Sequence, residues 1–280
     1  MKCIQQPIVL CLAGYKGYKT LELLPKKNIQ QVITYGGYAD AIESICKINN
    51  IPVSKDRDDV LQLCYERTFF VGWQYLFQPS HNFIVIHDSL LPKRRGFCPT
   101  VSAMLAEETT HGITAFKPDR DIDSGEVYQS RKYEIKYPIK IKDVFDDLCE
   151  LYIDMIIELS GVSDEYPLVQ QELSASTFSI WRDEVDYEID WTNSAEYILR
   201  FINTVGYPFD GAKTWAPHEI RIRDANIIKM NFDDQELHCG KVWSLKHNKP
   251  IIVCGENALQ LLDYGPTNIT KLKTRLGCKR

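Results

Sequence analysis

Seven uncharged residues, Pro7 to Ala13, run straight into Gly14, and further short apolar runs recur along the first half of the chain. Too short for helices and lacking strict alternation, such runs read as strands buried on both faces. The spacing predicts strands at residues 7–13, 30–35, 69–73 and 83–86. It predicts helices over 15–24, 39–49, 60–65, 100–107 and 142–159. A strand pair, 113–116 and 126–133, flanks a loop carrying Asp123. Strands alternating with helices imply βαβ units and a parallel sheet. Ligands of such sheets bind at the carboxyl ends of the strands. His87 stands immediately after one such end.

A polar stretch over 160–176 then reads as a linker, and a domain boundary is expected there, giving domains 1–178 and 179–280. Beyond it, short β-rich segments at 219–226, 240–247, 250–255 and 259–264 predict a small barrel-like, OB-like domain. Trp181, Trp191, Trp215 and Trp243 all fall in this last part and read as core or as homodimer contact.

Composition narrows the functional classes. No apolar run is long enough to cross a membrane, and the first residues lack a signal peptide's apolar core. The nine cysteines form no CxxC pair, which points away from a zinc site or disulfide framework and towards reduced thiols in the cytoplasm. A net charge of -5 argues against a general nucleic-acid binder. The basic C-terminal ten residues read as a solvated end. Gly14-Tyr15-Lys16-Gly17 is no dinucleotide fingerprint; a looser role near an acceptor phosphate is the alternative.

The densest chemistry lies in Ile86-His87-Asp88-Ser89-Leu90-Leu91-Pro92-Lys93-Arg94-Arg95-Gly96, followed by Asp123-Ser124-Gly125. This order and spacing resemble the folate-dependent formyltransferases. The resemblance runs through most of residues 1–135 and returns at Ile189-Asp190-Trp191, Ser194-Ala195, Arg200 and Pro208-Phe209-Asp210-Gly211-Ala212. It implies a Rossmann-like parallel-sheet domain with an appended C-terminal domain. It also implies N10-formyltetrahydrofolate as co-substrate and a primary amine as acceptor. His87 and Asp123 match the family's catalytic His and Asp, while the family's Asn falls on Val85. Strand alternation puts Val85 on the same face as His87. One missing oxyanion donor costs about 10² to 10³ in rate, so that donor must come from elsewhere, or the chain is a binding module of the same fold.

Within the resemblance, His87 is assigned to the oxyanion and Asp123 to holding His87 and accepting the proton. Tyr75, Leu76, Asp119 and Ser124 match where the family lays the pteridine ring. Ser89, Lys93 and Arg94 are assigned to the acceptor side, where an anion suits arginine's planar fork. Arg95, aligned with the family's Arg, reads as a structural residue of the turn. Residues 34–60 carry Lys47, Lys55 and Arg57 against Asp40, Glu43, Asp56, Asp58 and Asp59. A reader of phosphate backbone wants the opposite balance. The expected acceptor is therefore a nucleotide-linked amino sugar, with methionyl-tRNA as the rival.

Overall fold

The computed structural model describes residues 3–63, 67–75, 79–163, 165–266, 269 and 271–277. The chain forms two compact units. The first contains residues up to Ser102, Thr109–Ile135 and Val144–Trp181; the second contains Ala103–Glu108, Lys136–Asp143 and the chain from Arg182 on.

The first unit opens with β1 (Ile8–Ala13), α1 (Gly14–Leu23), β2 (Ile29–Tyr35), α2 (Ala39–Ile48) and β3 (Val53–Ser54). Then come β4 (Thr68–Val71), β5 (Phe83–His87) and the two-residue β6 (Arg95–Gly96). All six residues of β1 are buried, as a strand covered on both faces requires. After α3 (Pro99–Leu105), strands β7 (Thr110–Phe116) and β8 (Val127–Glu134) are followed by α4 (Ile141–Leu159) and the short β9 (Phe178–Ser179). The main sheet has the order β3-β2-β1-β4-β5-β7-β8. Strands β1 to β5 pair in parallel, and β7 and β8 extend the sheet in antiparallel fashion. The predicted α/β class holds. Helix α4 buries Leu148, Tyr152, Met155 and Ile156 completely, a helical face.

Two local expectations change. The helix expected over 60–65 is a 3-10 turn, Arg57–Gln62, begun by Asp56, whose carboxylate accepts the Asp58 N–H at 2.9 Å; Cys64 and Tyr65 lie outside the described residues. The strand expected over 69–73 stops at Val71, because Gly72 turns the chain with φ +69 and passes so near Ala13 that a Cβ would sit 2.4 Å from its carbonyl oxygen. Only glycine fits both demands.

The second unit contains α5 (Ala195–Thr204), β10 (Ala212–Trp215), β11 (Glu219–Ile228), β12 (Val242–Lys246), β13 (Lys249–Val253) and β14 (Ala258–Gly265). The antiparallel order is β10-β11-β14-β13-β12. The returning chain bridges both edges, Gly277 to Trp215 and Arg275 to Lys241, so the sheet is closed in the predicted barrel-like way. His247 and Asn248, both at positive φ, make the two-residue turn between β12 and β13. Helix α5 went unread in the sequence. It is begun by the Ser194 hydroxyl, which accepts the Tyr197 N–H at 3.2 Å, and it buries Ile198 and Ile202. The tryptophans divide: Trp191 is core and donates to the Thr214 hydroxyl at 3.0 Å, whereas Trp181 and Trp243 are exposed.

Among the described residues, no helix is long and apolar enough to cross a membrane, and no His/Cys/Asp/Glu group has metal-binding geometry.

Candidate functional site

Strand β5 delivers His87 to its carboxyl end, where the ring is only 9% exposed. Its Nε2 lies 2.8 Å from the Arg94 carbonyl oxygen. A carbonyl only accepts, so Nε2 carries the proton of that bond. Nδ1 then faces the Asp123 carboxylate, at 3.6 Å. That separation exceeds a direct hydrogen bond and suits a pair that tightens around a substrate or water.

Asp123 is held by backbone. Its φ of +49 is left-handed, a conformation Asp tolerates better than most residues. Its Oδ2 accepts the Gly96 N–H at 2.7 Å. Two residues on, a Cβ on Gly125 would sit 1.7 Å from the Lys117 carbonyl oxygen, so glycine is required where the loop closes. Arg95, buried, donates from Nε to the Ile122 carbonyl at 2.7 Å and from an Nη to the same oxygen. Its guanidinium also lies 5.4 Å from the centre of the Phe178 ring. Arg95 therefore ties the motif turn to the Asp123 loop, the structural part expected of it.

The acceptor-side residues share one turn but differ in availability. The buried Ser89 donates its hydroxyl to the Lys93 carbonyl at 2.7 Å, and its own carbonyl accepts from Thr114 at 2.7 Å. Ser89 thus shapes the turn. Lys93 is exposed. Arg94 has φ +55 and gives its N–H to the Thr177 hydroxyl at 2.9 Å.

The residues expected around the pteridine lie in two places. Asp119, exposed, accepts the Arg120 N–H at 2.7 Å, and Ser124 donates to the Asp121 carbonyl at 3.0 Å. Both belong to the loop that carries Asp123. Tyr75, 47% exposed, stands on the loop after β4. It packs edge-on against Tyr35 at 4.9 Å, with the Arg57 guanidinium 4.0 Å from its ring centre. Leu76 lies outside the described residues.

Val85 faces an apolar neighbourhood. It pairs with Phe70 and Phe116 across the sheet and, partly buried, packs against the apolar cluster of Cys11, Ile33, Val60, Phe70 and Phe83. The position where the resemblance expects an amide thus has apolar neighbours.

A buried charged cluster beside the site was missed. Asp88, next to His87 and turned to the opposite face, pairs with the Lys16 ammonium and accepts from the Tyr152 hydroxyl. Burial pushes its carboxyl up. The Lys16 charge and hydrogen bond, the Tyr152 hydroxyl and His87 outweigh that and hold it below the usual aspartate range. Burial pushes the Tyr152 hydroxyl well above its ordinary value, so it remains a donor. In sequence, only the position of Asp88 inside the motif hinted at this, since Lys16 and Tyr152 are distant along the chain.

Comparison with known proteins matches residues 69–151 to the family model described as formyl transferase and residues 183–274 to formyl transferase, C-terminal domain. A methionyl-tRNA formyltransferase of Nitrosomonas eutropha is 31% identical over 186 residues, 65% of this chain and 58% of that protein. One of Neisseria meningitidis serogroup C is 28% identical over 194 residues, 67% of this chain and 60% of that protein. The chain spans about three-fifths of the length of these curated relatives. Among solved structures, the N-formyltransferase of Helicobacter canadensis, in complex with folinic acid and dTDP-3-aminofucose, superposes with a TM-score of 0.61 at 17% identity, covering 91% of this chain and 99% of that one. The methionyl-tRNA formyltransferase of Clostridium thermocellum gives 0.63 at 17% identity over 81% of this chain and 95% of that one. These structural likenesses speak for the fold. With both family models matched in order, the chain belongs to the formyl transferase family.

Proposed function

We propose that this protein is an N-formyltransferase that moves the formyl group of N10-formyltetrahydrofolate to the amine of a nucleotide-linked amino sugar. The observation that carries the reading is the His87–Asp123 pair, with both side chains bonded to the backbone of one turn, Arg94 to Gly96. The acceptor amine attacks the formyl carbon and an oxyanion forms. With Nε2–H committed to Arg94, Nδ1 is the ring nitrogen left to meet that oxyanion, as a donor when the ring is protonated. Asp123 accepts the proton that leaves the attacking nitrogen. The bond from the formyl carbon to N10 then breaks, and N10 takes up a proton as tetrahydrofolate departs. Tyr75, Leu76, Asp119 and Ser124 are assigned to the folate side, and Ser89, Lys93 and Arg94 to the acceptor side. Residues 1–178 carry the transfer. Residues 179–280 place the acceptor or join two copies of the chain. The free thiols suit the reducing cytoplasm.

The sugar acceptor is supported by the acidic balance of residues 34–60 and by the dTDP-sugar bound in the Helicobacter canadensis relative. The second reading, methionyl-tRNA, is favoured by the activity named for the curated relatives. The test is mass spectrometry after incubation with N10-formyltetrahydrofolate and a panel of dTDP-, UDP- and GDP-amino sugars, with methionyl-tRNA as a separate arm. A formylated sugar supports the first reading. Formylation of methionyl-tRNA alone selects the second, and no transfer to any acceptor leaves the folate-binding module as the surviving alternative.

A further inference from the structure

The polar stretch between the domains is no slack connector within the first unit. Val169 exchanges two backbone hydrogen bonds with Val127, at 2.8 and 2.9 Å, at the start of β8. Gln170 donates to the Glu126 carboxylate at 2.7 Å. Gln171 then sends Nε2 to the Asp123 carbonyl at 3.0 Å and to the Gly125 carbonyl at 2.7 Å, gripping the Asp123 loop at its left-handed residue and two residues beyond it. A few residues on, β9 pairs with β6. The Arg95 N–H reaches the Thr177 carbonyl at 2.9 Å, the Phe97 N–H reaches the Ser179 carbonyl at 3.0 Å, and the Arg94 N–H reaches the Thr177 hydroxyl at 2.9 Å. At Gly96 the two strands pass so closely that a Cβ would meet the Ser179 carbonyl oxygen at 2.6 Å.

We infer that residues 169–179 form a brace that sets the relative position of His87 and Asp123, with Gln171 and Thr177 as its positioning residues. The path is short at both ends. Thr177 holds the peptide of Arg94, whose carbonyl holds His87 Nε2. Gln171 holds the peptide of Asp123, whose carboxylate is bonded to the Gly96 N–H. Neither positioning residue touches the 3.6 Å gap between the catalytic side chains, but both hold the backbones on either side of it. A displacement of about 1 Å in such a pair is enough to cost up to 10² in rate. The turnover part of this inference rests on the formyl-transfer reading; the geometric part does not.

The test compares Thr177→Val, which is isosteric and loses the hydroxyl acceptor, with Thr177→Ser, which keeps it, and with Gln171→Met, which keeps length and loses both donors. Melting and folinic acid binding on each variant establish that the chain is folded; Thr177→Ala stands in if the valine variant is not. We expect Thr177→Val and Gln171→Met each to lower kcat roughly 5-fold or more with KM for the folate essentially unchanged, and Thr177→Ser to retain kcat within about 2-fold. The hydrogen-bonded Nε2 proton of His87, assigned by its loss in His87→Ala, is expected in the downfield proton spectrum of wild type and Thr177→Ser and broadened in Thr177→Val. Unchanged kcat and an unchanged His87 proton in Thr177→Val and Gln171→Met overturn the brace, as does an equal loss in the valine and serine variants. If wild type transfers no formyl group, the functional reading falls by itself, and the His87 proton still decides the brace.

Discussion

Asp123 accepts the Gly96 N–H at 2.7 Å and stands 3.6 Å from His87 Nδ1. The carboxylate is thus fixed by backbone and left facing the imidazole across a gap. The arrangement orients the pair, and under the proposed function it leaves the carboxylate acceptor capacity for the attacking nitrogen.

His87→Ala and Asp123→Ala are each expected to lower kcat by roughly 10²-fold or more, since each removes a group to which the proposed function gives a transition-state role. Folinic acid affinity, measured by calorimetry, should stay within a few-fold. Retention of near wild-type turnover by either variant refutes the role given to that residue.

Val85→Asn restores an amide where the slot is apolar. Beside Phe70 and Phe116, an amide without a partner costs about 1–3 kcal/mol, so the melting temperature should fall. One added oxyanion donor is worth about 10² or more when well aimed, so kcat should rise at least roughly 10-fold. A loss of both stability and turnover means that the slot serves an apolar part of a ligand.

Lys16→Met leaves Asp88 buried without its counter-charge and should destabilise the fold by about 3–5 kcal/mol, read by urea unfolding at neutral pH. Asp88 also sets a pH dependence. Its folded value is depressed, so its contribution to stability is fully present above the ordinary aspartate value and is lost as pH falls through the folded value. Asp88→Asn should flatten the acid limb of the stability curve; an unaltered limb rules out this contribution.

Arg95→Lys keeps the charge but replaces the fork that reaches the Ile122 carbonyl and lies against Phe178. A point cation cannot reproduce both contacts. Stability is expected to drop by about 1–3 kcal/mol, as for a lost hydrogen bond to a charged group, and turnover with it. Unchanged melting and kcat would show that the tie between the two loops is dispensable.

Much of the fold was legible locally. The runs ending at Ala13, Tyr35 and Ile86 are strands because β-rich apolar residues buried on both faces carry that signal in the residues themselves. Helix α5 was not read because its capping Ser194 and the apolar residues behind it sit among β-like segments, where local pattern alone does not arbitrate. Residues 169–176 read as linker, and β9 just beyond them is not read as a strand, for a related reason. A strand as short as β9 has no period to detect and exists only through its partner, β6.

The same division runs through the site. Residue type and spacing alone determined the family resemblance, the α/β class, the candidacy of His87 and Asp123, and the departure at Val85, because those are properties of neighbours along the chain. Only the tertiary structure decided that Nε2 of His87 is committed to Arg94, that Asp123 is fastened to Gly96, that Asp88 is charge-paired with Lys16 beneath the site, and that Thr177 and Gln171 hold the Arg94 turn and the Asp123 loop. Those facts depend on hydrogen bonds a few ångströms long between residues far apart in sequence, and such contacts exist only once the sheet has brought its strand ends together.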